Sequence, residues 1–332
     1  MLSILAVAAA GLVSATLTWA IRPLLVQYAV AKPNARSSHR VPTPQGAGIA
    51  VVAATLLVVS LVAPFAEPPH AAIPVTVLLA AVFIAVVGFA DDVKSIAVLP
   101  RLMLQAVAIA AVVLSAPGDL RIVPACPLWI ERSLLLIAGL WFVNLVNFMD
   151  GLDWMTVAEV VPVAGAIIVL GSFHGLPQSP IIVAAALCGA MLGFAPFNRP
   201  VAQVFLGDVG SLPIGLLLGW CLLQTAYSHL LVASLLLPLY YLADASVTLS
   251  RRLLRGEKVW TAHRSHFYQR ATDNGFAVIG VVREVFALNV GLAVLAIAST
   301  TMSSTASRLS LLLVGVVATA SLMFRFSRQR LS

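Results

Sequence analysis

Charge is what this chain has least of. Only 10% of its 332 residues are Asp, Glu, Lys or Arg, while 61% are hydrophobic; a soluble domain carries roughly 25% charged residues. That shortage excludes a water-soluble fold. A net charge of +7 would suit a nucleic-acid partner in a soluble protein; here it points instead to loops facing anionic lipid and phosphate-bearing ligands, with no nucleic acid. Cysteine is also scarce: Cys126, Cys188 and Cys221 are scattered, match no metal or redox spacing, and read as small apolar fillers. Neither a P-loop nor a G-x-G-x-x-G occurs, so phosphate binding must rest on metal and basic side chains.

What the chain does have is long apolar runs. They fall near 2–26, 46–66, 72–90, 101–117, 128–148, 156–172, 179–196, 210–226, 230–250, 281–300 and 308–325, and runs of about 17–25 residues are the signature of membrane-spanning helices. The expectation is an all-α polytopic membrane protein of about 10–11 transmembrane helices, a single integral membrane domain over 1–332. The first run has no basic residue before it and is expected to be a retained helix, not a cleaved signal. The run containing Pro162, Gly165 and Gly171 is expected to kink.

Counting connections from the first run sorts the basic residues by side. The odd-numbered connections, their flanks and the C-terminal tail hold 17 of the 20 Lys and Arg; the other side holds Arg121, Arg132 and Arg308. The positive-inside rule then puts the odd connections and the C-terminus in the cytoplasm and the N-terminus outside.

Against this background the acidic residues stand out. Of eight Asp, five sit beside apolar runs: Asp91 and Asp92, Asp150 and Asp153, and Asp208. A carboxylate at a bilayer boundary costs free energy unless it meets water, a cation or a partner, and such residues usually mark function. The topology brings all five to the cytoplasmic face. Active-site loops are expected near 27–46, 91–101, 147–155, 197–210 and 251–280.

Asp91 and Asp92 close a helix, where a carboxylate opposes the macrodipole; adjacent side chains diverge by about 100°, so one can bind a cation while the other accepts a proton. Asn147, Asp150 and Asp153 recur every third residue, on adjoining helical faces, with Gly151 letting the chain turn and Asp153 able to cap the next helix. In Phe205-Leu206-Gly207-Asp208-Val209-Gly210-Ser211 an Asp lies between glycines, where backbone approaches a ligand closely. A helix cap explains it as well, and a carboxylate oxygen is also what Mg²⁺ prefers. His263-Arg264-Ser265-His266 offers a contact surface for phosphate and base; zinc would need a third ligand that is not near. Arg251, Arg252 and Arg255 read as lipid-facing topology signals. The first loop, with His39 and Pro42-Thr43-Pro44-Gln45-Gly46-Ala47-Gly48, is shaped by Pro and opened to close approach by Gly.

In this order the pieces resemble the polyprenyl-phosphate N-acetylhexosamine-1-phosphate transferase family over nearly the whole chain, and look closer to its O-antigen-initiating branch. The phospho-N-acetylmuramoyl-pentapeptide transferase is the alternative, but His263 to His266 lacks that enzyme's triple His. The resemblance implies transfer of a sugar-1-phosphate from a UDP-N-acetyl sugar to undecaprenyl phosphate at the cytoplasmic face of the bacterial inner membrane, with release of UMP. It implies Mg²⁺, with Mn²⁺ able to substitute, and is compatible with a homodimer. Asp91, Asp92, Asp150 and Asp153 would be catalytic. Asn147, Asn198, His263, Arg264, His266 and His39 would bind substrate, and Asp208 with Asn147, or with Asp150, would hold the metal. Ser95 departs from the family, whose paired Asp is often followed by a further Asp or Lys there. A cation-coupled transporter is the rival of another class, but such sites lie near the midplane and these acids gather at helix ends.

Overall fold

The computed structural model describes residues 1–31, 42–65, 73–258 and 263–329. Among them thirteen α-helices follow one another: α1 (Leu2–Tyr28), α2 (Gly48–Val62), α3 (Val75–Val93), α4 (Val98–Leu114), α5 (Leu128–Met149), α6 (Met155–His174), α7 (Gln178–Phe194), α8 (Asp208–Tyr227), α9 (Leu231–Leu236), α10 (Leu239–Leu254), α11 (Phe267–Asp273), α12 (Val278–Thr301) and α13 (Thr305–Phe326). Among the described residues nine helices are long and apolar enough to cross a membrane. The two remaining expected spans take other forms. α4 is a shorter apolar helix of 17 residues. The run at 230–250 is divided at Leu237-Pro238 into α9 and α10, where proline cannot supply the N–H that would continue a helix. Pro162 does not end α6, which runs from Met155 to His174.

The sequence starts its helices by simple means. Pro74, Pro127 and Pro177 stand immediately before α3, α5 and α7, positions that no helical N–H needs to occupy. Large apolar side chains point outward along the bundle, Leu12, Phe83, Leu134, Val294 and Leu313 among them, as expected where the surrounding solvent is hydrocarbon. The centre belongs to α7 and α8, buried over 72% and 83% of their most apolar stretches, against 22% for α1 and α13.

Close packing here uses small residues, since lipid provides no hydrophobic drive between helices. α1 lies against α7 through Gly11, Gly189 and Gly193, and the Ser14 hydroxyl donates to the Ala190 carbonyl at 2.7 Å. Deeper in the bundle, Asn289 of α12 donates to the Glu159 carboxyl of α6 at 2.7 Å and to the Ala158 carbonyl at 2.9 Å.

Contacts between helix ends establish which termini share a face. Asp92 meets Asp208, Asn147 meets Asp208, Tyr268 meets Phe148, and Asn274 meets the Phe326 carbonyl. At the opposite end Thr76 bonds Ser115, Arg132 bonds Tyr227, and His174 bonds Thr300. The three basic residues of this far end all serve the fold. Arg132 donates to the Val113 carbonyl in the last turn of α4 and to the Pro117 carbonyl beyond it, Arg121 pairs with Glu131 at 2.8 Å, and Arg308 donates to the Met302 carbonyl.

A β-ribbon, Val30–Ala31 paired with Thr43–Pro44, is the one strand pair among the described residues. It continues into a bridge from Gln45 to Phe205, so the first loop is stitched to the segment before α8: the Phe205 N–H donates to the Pro44 carbonyl at 2.7 Å and the Gly48 N–H to the Leu206 carbonyl at 2.8 Å.

The α1–α7 contact gives a stability test. A Cβ at Gly189 would collide with the Val7 carbonyl, whereas one at Gly165 meets nothing within 4 Å. Gly189→Ala is expected to destabilise by about 1–3 kcal/mol. Gly165→Ala should be neutral or stabilising by up to about 1 kcal/mol. Thermal midpoints of the detergent-solubilised variants check this; equal midpoints would refute the packing argument.

Candidate active site

The last turn of α3 delivers Asp91 and Asp92 beside the start of α8, and the two acids do different things. Both oxygens of Asp92 are taken up at the N-terminus of α8. Oδ1 accepts the Asp208 N–H and Oδ2 the Val209 N–H, each at 2.9 Å, and the Gln45 amide donates to Oδ1 at 2.5 Å. A helix N-terminus has unsatisfied N–H groups and a positive partial charge, so a carboxylate there is well placed. The approach depends on two glycines. Gly207 has φ +77°, and a Cβ there would lie 2.6 Å from the Asp92 carboxylate; a Cβ at Gly88 would strike the Asp208 carbonyl.

Asp91 turns instead to α4. It accepts the Ile96 N–H and pairs with Arg101, each at 2.6 Å, and the same guanidinium nitrogen lies 3.9 Å from Asp208 Oδ2. Asn147, from the last turn of α5, donates to Asp208 Oδ1 at 2.7 Å and to the Ser211 hydroxyl at 2.9 Å. Asp208 thus meets Asn147, Arg101 and Asp91 from three helices. Its side chain keeps 26% of its surface open, against 6% for Asp91.

Asp150 and Asp153 lie in the short turn between α5 and α6. Thr156 donates its hydroxyl to Asp150. Burial pushes the Asp150 carboxyl up to about 6, against the effect of that hydroxyl and reinforced by the negative charges of Asp92 and Asp153. Asp153 accepts the Ala202 N–H at 3.0 Å, and burial raises it also to about 6. Asn198 holds the same turn: its carbonyl oxygen accepts the Trp154 N–H at 2.8 Å and its amide donates to the Val204 carbonyl at 3.0 Å. The Asn198 amide is therefore committed to backbone.

The histidine loop docks onto this end of α5. The Tyr268 hydroxyl donates to the Phe148 carbonyl at 2.9 Å and packs over Gly151. The His263 and His266 rings lie 4.9 Å apart, and His266 stacks on Tyr268. Asp244 of α10, fully buried, sets this arrangement. It faces His266 Nδ1 at 3.1 Å and accepts the Phe267 and Tyr268 N–H groups together with the Tyr240 and Thr248 hydroxyls. Arg264 turns toward α11, to Thr272 and Asp273. His39 lies outside the described residues.

The structure thus gathers Asp91, Asp92, Asn147 and Asp208 into one centre, with Asp150 and the histidine pair at its flank. Sequence reasoning missed Gln45 and Arg101 as parts of that centre. Both stood in plain view, Gln45 within the Pro-Gly loop and Arg101 ten residues beyond Asp91. Among the described residues no three His, Cys, Asp or Glu side chains form a preformed metal cage. Mg²⁺ does not require one, being held by one or two carboxylates plus substrate phosphates. The donor set fits it: hard oxygens only, with a guanidinium lying between two carboxylates where positive charge is called for.

Fold and site define a polytopic helical membrane protein with a carboxylate centre at one membrane face. Residues 74–226, which carry all five helix-end aspartates from α3 to α8, match the glycosyl transferase family 4 model. The decaprenyl-phosphate N-acetylglucosaminephosphotransferase of Mycobacterium leprae (strain TN) is 28% identical over 306 residues, 82% of this chain and 77% of the relative. That of Mycolicibacterium smegmatis is 29% identical over 304 residues, 80% and 75% of the two chains. The chain is thus similar to a membrane sugar-phosphate transferase over most of its length, and to glycosyl transferase family 4 over its central part.

The division of labour among the acids can be tested by stability alone. Asp92→Asn replaces an acceptor oxygen by a donor and leaves one α8 N–H unsatisfied, which should cost about 1–3 kcal/mol. Asp208→Asn keeps the acceptor that Asn147 uses and should leave the thermal midpoint near wild type. The reverse order of midpoints would overturn the assignment of Asp92 as the anchor.

Proposed function

We propose that the protein transfers an N-acetyl-sugar 1-phosphate, with UDP-GlcNAc as the leading donor, to undecaprenyl phosphate at the cytoplasmic face of the bacterial inner membrane, releasing UMP. The observation that carries the reading is the convergence of Asp91, Asp208 and Asn147 around Arg101 at the end of the bundle shared by the basic loops. The relatives' names support the sugar and the polyprenyl phosphate class, with decaprenyl phosphate as their own acceptor.

In the reaction an oxygen of the lipid phosphate attacks the phosphorus that carries the sugar. The bond to the bridging oxygen breaks, and UMP leaves with that oxygen. With a doubly ionised acceptor no proton need move, so the residues have to position and to balance charge. Asp208 with Asn147, or with Asp150, would hold Mg²⁺, which supplies charge neutralisation on the phosphoryl oxygens. Asp92, through its clamp on α8, fixes where Asp208 points. Arg101 lies between Asp91 and Asp208 and can lend one guanidinium N–H to an incoming phosphate without leaving Asp91. His263, tilted by 34° against the buried His266 that Asp244 and Tyr268 hold, would contact the donor's base and phosphates. The role is initiation of a lipid-linked surface glycan, of the O-antigen kind.

Purified protein in nanodiscs with undecaprenyl phosphate and radiolabelled UDP-GlcNAc is expected to yield lipid-linked sugar and an equal amount of UMP. Asp208→Asn should lower the rate by about 10²–10³-fold or more. Near-wild-type transfer by that variant would remove its metal role. Absence of product from folded wild-type protein with every UDP-N-acetyl sugar tried would remove the reading itself.

A further inference from the structure

Beyond the aspartate centre, where α10 meets α11, lies a cavity of about 310 Å³ walled by Arg251, Arg252, Arg255, Arg264 and Arg270. Thr248 and Ser265 complete its lining. Arginines of one sign around one cavity repel one another unless something offsets them, and the protein supplies little. Glu257 pairs with Arg252 at 2.8 Å and Asp273 with Arg264 at 3.1 Å. Arg251, Arg255 and Arg270 make no ion pair among the described residues. Five cations therefore meet two carboxylates, an excess of three positive charges. The C-terminal end of α10 offsets about half a charge, too little to balance the set.

The arginines are nevertheless held in place. Arg251 lies over the Phe267 ring at 4.8 Å and Arg270 over the same ring at 5.9 Å, while Arg252 is buried and also donates to the Lys258 carbonyl at 3.0 Å. Stacked, preoriented guanidinium groups are the usual partners of phosphate oxygens, which they meet in forked pairs. The cavity's surroundings identify the source of that phosphate. Leu253 and Leu254, between the arginines on the same helix end, are 65% and 87% exposed. Bare leucines beside guanidinium groups suit the boundary layer of a bilayer, where apolar stems meet acyl chains and charged heads meet the headgroups.

We propose that this pocket binds the phosphate headgroup of an anionic membrane phospholipid. The bound headgroup would brace the α10–α11 corner, and with it the loop that carries His263 and His266. The inference does not depend on the transferase reading, because lipid binding is read without substrate.

The test uses the full chain in nanodiscs of phosphatidylcholine alone or with phosphatidylglycerol, with retained lipids counted by native mass spectrometry and thermal midpoints recorded in parallel. Wild type should retain phosphatidylglycerol and gain several degrees in the anionic bilayer. Arg251→Gln/Arg255→Gln should lose both effects while keeping the wild-type midpoint in phosphatidylcholine. The exposed single variant Arg255→Gln, which disturbs no stacked ring, should show an intermediate loss. Equal retention by wild type and both variants would overturn the proposal. So would stabilisation by inorganic pyrophosphate in phosphatidylcholine without any response to phosphatidylglycerol, since the pocket would then serve a soluble phosphate compound.

Discussion

Two acids at the carboxyl end of a transmembrane helix are in the wrong place by the logic of the helix dipole, and the site is built on the way this is corrected. α3 and α8 run in opposite directions, so the negative end of one lies beside the positive end of the other. Asp92 bridges the two ends, giving both oxygens to the first N–H groups of α8. An unfavourable helix end thereby becomes a clamp between helices, worth the more because water competes weakly for those N–H groups at the membrane boundary. Everything else at the site follows from that clamp. It sets the start of α8, hence the direction of Asp208, and its geometry is possible only because Gly88 and Gly207 carry no side chain.

The same economy governs the other acids. A carboxylate removed from water without partners costs several kcal/mol, and this chain meets the cost by giving carboxylates backbone N–H groups. Asp153 takes that of Ala202, Asp91 that of Ile96, Glu131 that of Ile122, and Asp244 those of Phe267 and Tyr268. Those of Asp153 and Asp244 tie together segments that are separate in sequence, while those of Asp91 and Glu131 close the turn next to their own helix. Acids in this protein are therefore the joints of the fold, and Asp208, the proposed metal ligand, differs from these four in taking no backbone N–H among the described residues. Asp208 has one amide at 2.7 Å, a guanidinium at 3.9 Å and an open flank.

Reading the sequence alone located the spans because apolar length is a local property. It also placed the aspartates at one face, because the arginine asymmetry is a property of whole connections. The sharpness of that asymmetry has a physical basis: at the far end Arg121, Arg132 and Arg308 are each consumed by a carboxylate or by helix-end carbonyls, so among the described residues no Lys or Arg stands there without a structural task. What sequence could not divide was the Asp91-Asp92 pair. Neighbours of identical type differ only in which helix each one meets, and that is tertiary. Asn198 illustrates the same limit: a polar residue near the motif looks like a substrate contact, yet its amide joins the Trp154 and Val204 backbones. Gln45 escaped notice for the opposite reason, being an unremarkable residue carried to Asp92 by the β-bridge to Phe205. The break between α9 and α10 was written in Pro238, but the apolar run around it is continuous and hydropathy does not register a missing N–H.

The two charge imbalances that the fold leaves at this face have opposite signs and separate places. One is the aspartate centre around Asp208; the other is the arginine cavity at the α10–α11 corner, with the histidine loop between them because His266 is tied to Asp244 and Tyr268 to Phe148. For substrates that are both anionic the pairing is consistent. For such substrates the field of the basic corner would raise the local concentration of phosphates, while the aspartates, repelling them unless a cation intervenes, would admit only a phosphate that arrives with positive charge. On the proposed function, a centre of aspartates alone would hold a metal and repel anionic substrates, and a centre of arginines alone would bind phosphate without distinguishing the reactive one. Keeping the two apart, with Arg101 as the one guanidinium inside the acidic centre among the described residues, would let attraction and discrimination act at different points of the same surface.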